Sequence, residues 1–214
     1  MYDIEEASKY NTWVDAMHDA DHDDCISDLK RCVKFSDNMA VLDAGSGTGA
    51  LSMALVRIPG LNVTALEPCT PMIDLLKAKS ALSGVTIVQG FCDHEEDASL
   101  FGSESFNLIA SRLLVNNLFD PLAAFRNWKY WLRPGGSIVV MDGLFDRCGW
   151  SGEWGKFVDA LPLSACQTTA TVPYLLEQIG LHVEHVGLMD HTNAMPSTRT
   201  KRYMVVATKP IDVQ

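Results

Sequence analysis

The feature that most constrains this chain is a short apolar run that ends in an aspartate and three closely spaced glycines. Val41-Leu42-Asp43 leads through Ala44 into Gly45-Ser46-Gly47-Thr48-Gly49, and an apolar helix follows from Ala50. Glycines let the backbone turn sharply and let a ligand approach closer than any Cβ would permit. In a doubly wound sheet such a turn lies at the carboxyl end of a strand, where ligands bind. The sequence therefore predicts an α/β fold with its site at this turn.

The other apolar segments continue an alternation of strands and helices. Strands are predicted over 40–43, 62–67, 85–89, 106–110, 137–141, 182–189 and 202–208. Helices are predicted over 25–35, 50–57, 70–84, 120–133 and 171–180, with Thr70 and Asp120 as N-caps that precede a proline. This alternation forms a doubly wound, largely parallel sheet with helices on both faces. One domain over residues 1–214 accounts for it.

Composition limits the compartment and the partners. The net charge of −10 repels phosphate backbones. The basic and aromatic stretch 126–133 has a helical period that puts Phe125, Trp128 and Trp131 or Leu132 on one face, as in a helix that packs on a sheet. No apolar run approaches the roughly 20 residues of a membrane span, and the six cysteines form no Cys-x-x-Cys pair. We expect a cytoplasmic protein, a monomer or homodimer, that binds a small molecule and neither nucleic acid nor membrane.

A second acidic residue points to a nucleoside. Glu67 ends the second strand about 20 residues after the glycine turn, where a carboxylate can accept both hydroxyls of a ribose. Gly45, Gly47 and Ala50 also fit the dinucleotide pattern, so an NAD(P)-dependent oxidoreductase remains an alternative. Asp43 argues against this alternative. A carboxylate at that position is poorly placed beside a pyrophosphate and well placed to bind the ammonium group of a ligand.

Further segments in the same order match a known family. Segment 41–49 resembles the glycine-rich motif of class I S-adenosylmethionine-dependent methyltransferases, and Glu67 matches the ribose-binding acid of that family. Three more segments match the family. Cys92-Asp93 falls where the family places residues against the adenine, and Ser111-Arg112-Leu113 where it places residues beside the methionine part and the acceptor. Leu132-Arg133-Pro134-Gly135-Gly136 matches the turn before the fifth strand. The resemblance covers about residues 37–210 and lies in the order and spacing of these motifs.

The resemblance implies a seven-stranded, mostly parallel sheet with an antiparallel last strand, and S-adenosylmethionine as the cofactor. Tyr10 falls where many members bring an N-terminal aromatic ring over the cofactor. The implied cofactor contacts are Tyr10, Asp43, Gly45, Ser46, Gly47, Gly49, Glu67, Pro68, Met72, Cys92, Asp93, Ser111 and Arg112. Catalytic residues are not shared across the family, so the resemblance implies methyl transfer and assigns no general base.

Two segments outside the core pattern are expected to cover the acceptor. They are an N-terminal helical cap over 1–36 and a substrate lid over 144–171. The predicted acceptor contacts are Trp13, Arg112, Asn116, Trp150 and Trp154, and an aromatic lid suits a planar or apolar small molecule. The alternative is that these aromatic residues only complete the core. The segment 111–117 contains Arg112 and no acidic residue, which argues against an amine acceptor and favours O-methylation over N-methylation.

The candidates for a general base are His18, His22, His191 and Asp142. Each has a plain alternative as a surface or capping residue. The run 18–24 imitates the start of a calcium loop, but Asp24 stands where that loop has glycine, and Lys30 where it has glutamate. We therefore expect a solvated acidic loop with one aspartate capping the next helix, and no metal. A cofactor-binding module without turnover is a further alternative to an enzyme.

Overall fold

A central sheet positions the glycine turn. The computed structural model describes residues 2–17 and 19–211, apart from the side chains of Glu153 and Trp154. Over these residues the sheet has seven strands in the order β3-β2-β1-β4-β5-β7-β6. The strands are β1 Met39–Ala44, β2 Leu61–Glu67, β3 Thr86–Gln89, β4 Phe106–Arg112, β5 Leu132–Gly143, β6 His182–Leu188 and β7 Arg202–Thr208. Only β7 is antiparallel to its neighbours, which confirms the expected sheet.

Helices cover both faces of this sheet. They are α1 Ile4–Asp15, α2 Asp19–Cys32, α3 Ala50–Leu55, α4 Thr70–Lys77, α5 Pro121–Trp131, α6 Gly152–Ala160, α7 Thr171–Gln178 and α8 Asp190–Ala194. Successive residues of a strand face opposite sides. Accordingly Val41 packs in a cluster with residues of α2 and α3, and Leu42 packs with α5 and α7. No helix among the described residues is long and apolar enough to cross a membrane.

The predicted aromatic face of α5 is confirmed. Phe125, Trp128 and Trp131 are completely buried in the cluster on the α5 side of the sheet. The Nε1 of Trp131 donates a hydrogen bond to the carbonyl of Ala98 at 2.9 Å, so the polar atom of this buried ring is satisfied. The side chain of Asp120 accepts a hydrogen bond from the backbone of Ala123, as an N-cap should.

Two local predictions are wrong. The acidic run is no loop, because α2 already begins at Asp19, and Asp19 and Asp23 form ion pairs with Arg57 from the end of α3. Thr70 is no N-cap. It is the first residue of α4, the cap position belongs to Cys69, and the Thr70 hydroxyl accepts a hydrogen bond from the Gln89 side chain.

The strand order brings several polar residues to one edge of the sheet. β1 lies between β2 and β4, so strand order reverses there, and in doubly wound sheets ligands bind in the crevice beyond the carboxyl ends at such a point. Asp43 is the residue before the last of β1, Glu67 ends β2, and Arg112 ends β4. Because β7 runs antiparallel, its first residue, Arg202, pairs with Gly143 at the carboxyl end of β5. The fold therefore gathers acidic and basic side chains at the same edge.

Candidate active site

The glycine turn after β1 presents bare main chain. Gly45, Gly47 and Gly49 all have left-handed backbone angles, with φ of 66°, 55° and 97°. A side chain with a Cβ rarely adopts this region. A Cβ on Gly45 would also collide with the side chain of Leu114. The turn thus requires glycine for its own geometry, and at Gly47 a Cβ would meet only the Tyr10 ring within 4 Å.

Asp43 lies buried beneath this turn. Its carboxylate accepts a hydrogen bond of 2.6 Å from the Ser52 hydroxyl in α3. Burial raises the pKa of Asp43 to about 7, against the opposing effect of the hydrogen bond from Ser52. The nearby charge of Glu67 raises this pKa further, and that of Arg112 lowers it. A carboxylate in such a position gains from a bound cation, because the cation would stabilise its ionised form.

Glu67 is held against the glycine turn by two backbone groups. One carboxylate oxygen accepts from the N–H of Gly47 at 2.9 Å, and the other from the N–H of Cys69 at 3.0 Å. Burial raises the pKa of Glu67, and these two hydrogen bonds act in the opposite direction. Both oxygens are therefore fixed, and each keeps a lone pair with which a carboxylate can accept from a ligand hydroxyl.

Three buried hydroxyls near the turn have no hydrogen-bond partner among the described residues: Ser46 Oγ, Thr48 Oγ1 and Ser111 Oγ. Ser111 lies beside Ala44 in the neighbouring strand β4. Buried polar atoms are normally satisfied by protein, water or ligand. These atoms, the glycine backbone and two fixed carboxylates fit a ligand that carries a ribose and an amino acid, as S-adenosylmethionine does.

The N-terminal helix α1 covers the turn. One edge of the Tyr10 ring lies 3.7 Å from the position that a Cβ on Gly47 would take. Ala7 of α1 packs with Cys69 and Met72 of α4 in a small buried cluster that Tyr10 joins. The thiol of Cys69 also donates to the carbonyl of Tyr2 at 3.3 Å. Helix α1 therefore shields the crevice from water.

The residues expected near the adenine lie after β3. Asp93 is buried and accepts from the backbone N–H of Phe119 at 2.8 Å, so it ties this segment to the loop before α5. Cys92 is buried in the core cluster beside it, and its carbonyl accepts from Asn127. Pro68 contributes only a carbonyl, which accepts from the side chain of Gln89. These contacts join the segment after β3 to α5 and to the loop before it.

Arg112 ends β4 and contacts the end of α1 and the residues that follow it. Its guanidinium lies 5.7 Å from the centre of the Trp13 ring and donates to Met17 Sδ at 3.7 Å. Of the histidine candidates, His22 is buried and its Nδ1 has no partner among the described residues. Burial lowers the pKa of His22, and the charges of Arg57 and Arg112 lower it further. His22 is therefore neutral at pH 7 and lies near Arg112.

The other candidate bases are placed differently. Asp142 is buried, and its oxygens accept from the backbone N–H groups of Asn116 at 3.1 Å and Gly143 at 2.7 Å. Burial raises the pKa of Asp142 to about 6. His191 is exposed in α8, where its backbone N–H donates to Asp28. His18 lies outside the described residues.

The segment predicted as a substrate lid contributes Phe145 to the edge of the sheet. The Phe145 ring lies 5.4 Å from the guanidinium carbon of Arg202. Trp150 is 37% exposed, and its carbonyl accepts from Arg147 within the same segment. The side chain of Trp154 is outside the described part of the chain. Sequence reasoning missed Arg202, because only the antiparallel course of β7 brings it beside the end of β5.

Comparisons with known proteins agree with this geometry. A methyltransferase-domain family model matches residues 42–140. The chain is 24% identical over 107 residues to demethylmenaquinone methyltransferase of Chlorobaculum tepidum, across 50% of this chain and 42% of that protein. It is 30% identical over 101 residues to the ubiquinone biosynthesis O-methyltransferase of Actinobacillus pleuropneumoniae, across 46% and 43%. The chain thus spans less than half the length of either relative.

A solved structure shows the same fold over nearly the whole chain. It is an S-adenosylmethionine-dependent methyltransferase from Aquifex aeolicus, with a TM-score of 0.68, 16% identity, and coverage of 97% of this chain and 98% of that one. The family match contains the glycine turn, Glu67 and Arg112, and ends within β5. Residues 42–140 thus match a methyltransferase-domain family, and the chain shares its fold with an S-adenosylmethionine-dependent methyltransferase.

Proposed function

We propose that this protein transfers a methyl group from S-adenosylmethionine to an oxygen atom of a small-molecule acceptor. The observation that carries the proposal is the pairing of the glycine turn with two buried carboxylates, Asp43 beneath it and Glu67 bonded to it. A nicotinamide dinucleotide would bring a pyrophosphate to the same turn, where the negative charge of Asp43 opposes it. The proposal therefore favours a sulfonium nucleoside over NAD(P).

Each end of the cofactor has residues suited to it. Asp43 binds the ammonium group of the methionine part, and Glu67 accepts the ribose hydroxyls. Tyr10 and the rest of α1 exclude water from above, which strengthens these interactions. When bound, the cofactor supplies an electrophilic methyl group that needs little activation. Alignment of the acceptor is then the main task of the protein.

The acceptor lies on the Arg112 side of the crevice, and its oxygen loses a proton as the methyl group transfers. His22 is the best-supported general base, because it is buried, neutral at pH 7 and has an unpartnered Nδ1 among the described residues. Two relatives are named demethylmenaquinone methyltransferase and ubiquinone biosynthesis O-methyltransferase, and the second name specifies an oxygen acceptor. An oxygen acceptor agrees with that relationship and with the absence of an acid in the segment Ser111-Arg112-Leu113.

Calorimetric titration tests the cofactor assignment. S-adenosylhomocysteine should bind in the micromolar range or tighter, and NADH should not bind. The Asp43→Ala variant should weaken the binding, while Asp146→Ala, which removes an acid from the surface loop after β5, should leave it unchanged. Binding of NADH in place of S-adenosylhomocysteine would refute the proposal.

Turnover is tested separately with a panel of phenols, carboxylic acids and amines and a labelled methyl donor. The proposal expects methylated phenols or acids as products. If S-adenosylhomocysteine binds and no member of the panel is methylated, the alternative of a cofactor-binding module without turnover is favoured. If amines alone are methylated, the choice of oxygen is wrong.

A further inference from the structure

An unusual cation lies at the first residue of β7. The side chain of Arg202 runs over Gly143, and its Nη1 lies 2.5 Å from where a Cβ on that glycine would be. Any larger residue at position 143 would displace the guanidinium. The Phe145 ring covers it at 5.4 Å, and the Asn193 side chain holds the Arg202 backbone through two hydrogen bonds of 2.7 and 2.8 Å. The guanidinium is therefore placed by its surroundings.

In the part of the chain that the structure describes, this cation has no hydrogen-bonded counterion. Nη1 of Arg202 is buried and has no partner among the residues described. Burial lowers the pKa of Arg202, and the charge of Arg112 lowers it further, while Asp142 and Tyr10 act in the opposite direction. Burying a charge without a bonded partner is unfavourable, and a second cation nearby adds to the cost. A bound group with a negative charge would offset this cost.

The groups around Arg202 do not supply that partner. The nearest carboxylate, Asp142, already accepts from the N–H groups of Asn116 and Gly143. Tyr10 keeps its proton, because burial raises its pKa. Arg112 is the second cation. Among the described residues its guanidinium lies over the Trp13 ring and donates one hydrogen bond, to the Met17 sulfur. With Asp142 ionised, these groups together carry one net positive charge.

The strand order places the two arginines on one side of the cofactor carboxylates. Asp43 and Glu67 lie at the carboxyl ends of β1 and β2, whereas Arg112 ends β4 and Arg202 lies on β7 beyond β5. Arg112 is still close enough to Asp43 for their charges to interact. We infer that Arg202, with Arg112, binds a carboxylate group of the methyl acceptor. A guanidinium fork matches the two oxygens of a carboxylate, and the aromatic rings of Trp13 and Phe145 flank the two arginines. The inference rests on the proposed function and adds the acceptor class to it.

The test uses two acceptors that differ in one group, 4-hydroxybenzoate and its neutral amide, titrated into the protein saturated with S-adenosylhomocysteine. The carboxylate should bind about tenfold or more tightly than the amide. Arg202→Gln should abolish this difference, while Arg126→Gln, an exposed arginine of α5, should keep it. Phenyl phosphate distinguishes a carboxylate site from a general oxyanion site, since tighter binding of the phosphate would overturn the carboxylate assignment.

Three results separate this inference from its alternatives. Equal binding of the acid and the amide, or no binding of either, overturns it. Loss of S-adenosylhomocysteine binding in Arg202→Gln also overturns it, because Arg202 would then serve the cofactor. Failure of S-adenosylhomocysteine to bind the unaltered protein refutes the proposed function instead. As a check on folding, Arg202→Met should have an unchanged or higher melting temperature without ligands, whereas a structural role would lower it.

Discussion

The buried carboxylate of Asp43 makes cofactor binding depend on pH in a way that can be calculated. Its pKa is raised to about 7 in the unliganded protein. The ammonium group of S-adenosylhomocysteine pairs with the ionised carboxylate, so binding lowers this pKa and releases a proton below pH 7. With a pKa of about 7, roughly one tenth of the protein is ionised at pH 6. The affinity should therefore fall about tenfold between pH 8 and pH 6, or about 1.4 kcal/mol.

5′-Methylthioadenosine provides the matched ligand for this experiment. It has the same adenosine and sulfur and lacks the amino acid, so it contacts Glu67 and does not pair with Asp43. Any effect of Glu67 ionisation acts on both ligands and cancels in the ratio of their affinities. That ratio should decline about tenfold from pH 8 to pH 6 in the unaltered protein.

Calorimetry at four or five pH values measures the ratio, and buffers of different ionisation enthalpy report the released proton. In the Asp43→Asn variant the ratio should be lower at pH 8 and independent of pH. A ratio that stays constant in the unaltered protein, or one that declines equally in Asp43→Asn, would show that Asp43 does not bind the amino group.

Three further predictions concern single residues. Glu67→Gln should weaken S-adenosylhomocysteine and 5′-methylthioadenosine equally, by about 1.5–3 kcal/mol in titration, whereas an effect on only one ligand would contradict a ribose contact. His22→Gln should lower kcat roughly 100-fold and remove the decline in rate on the acidic side of the pH profile, whereas His191→Gln should leave both unchanged. Asp28→Ala leaves the donors of His191 and Thr192 in α8 without their acceptor, so urea unfolding should show a loss of about 2–4 kcal/mol. An unchanged unfolding midpoint would contradict that role.

The cofactor half of the site could be predicted because its determinants are local. The glycines, Asp43 before them and Glu67 at the next strand end each follow from a short stretch of sequence and the direction of parallel strands. The structure adds the detail that Glu67 bonds the backbone of Gly47. One local signal went unused: Asp3 and Glu6 form a capping box at the start of α1, the helix that carries Tyr10 over the turn.

The acceptor half depends on contacts between distant segments. The acidic run, expected as a loop, is helical, and its Asp19 and Asp23 form ion pairs with Arg57, far along the chain. Arg202 carries no local signal at all. It reaches the crevice only because β7 inserts antiparallel beside β5, with Gly143 leaving room for the guanidinium. Such placements follow from the assembled fold and not from periodicity or spacing.

A crystal structure of the protein with bound S-adenosylhomocysteine tests the central claim most directly. The account predicts the ribose hydroxyls on the Glu67 carboxylate, the amino group on Asp43, and the sulfur directed toward Arg112 beneath Tyr10. Density for the ligand at any other place, or an unoccupied glycine turn at saturating ligand, would contradict the account.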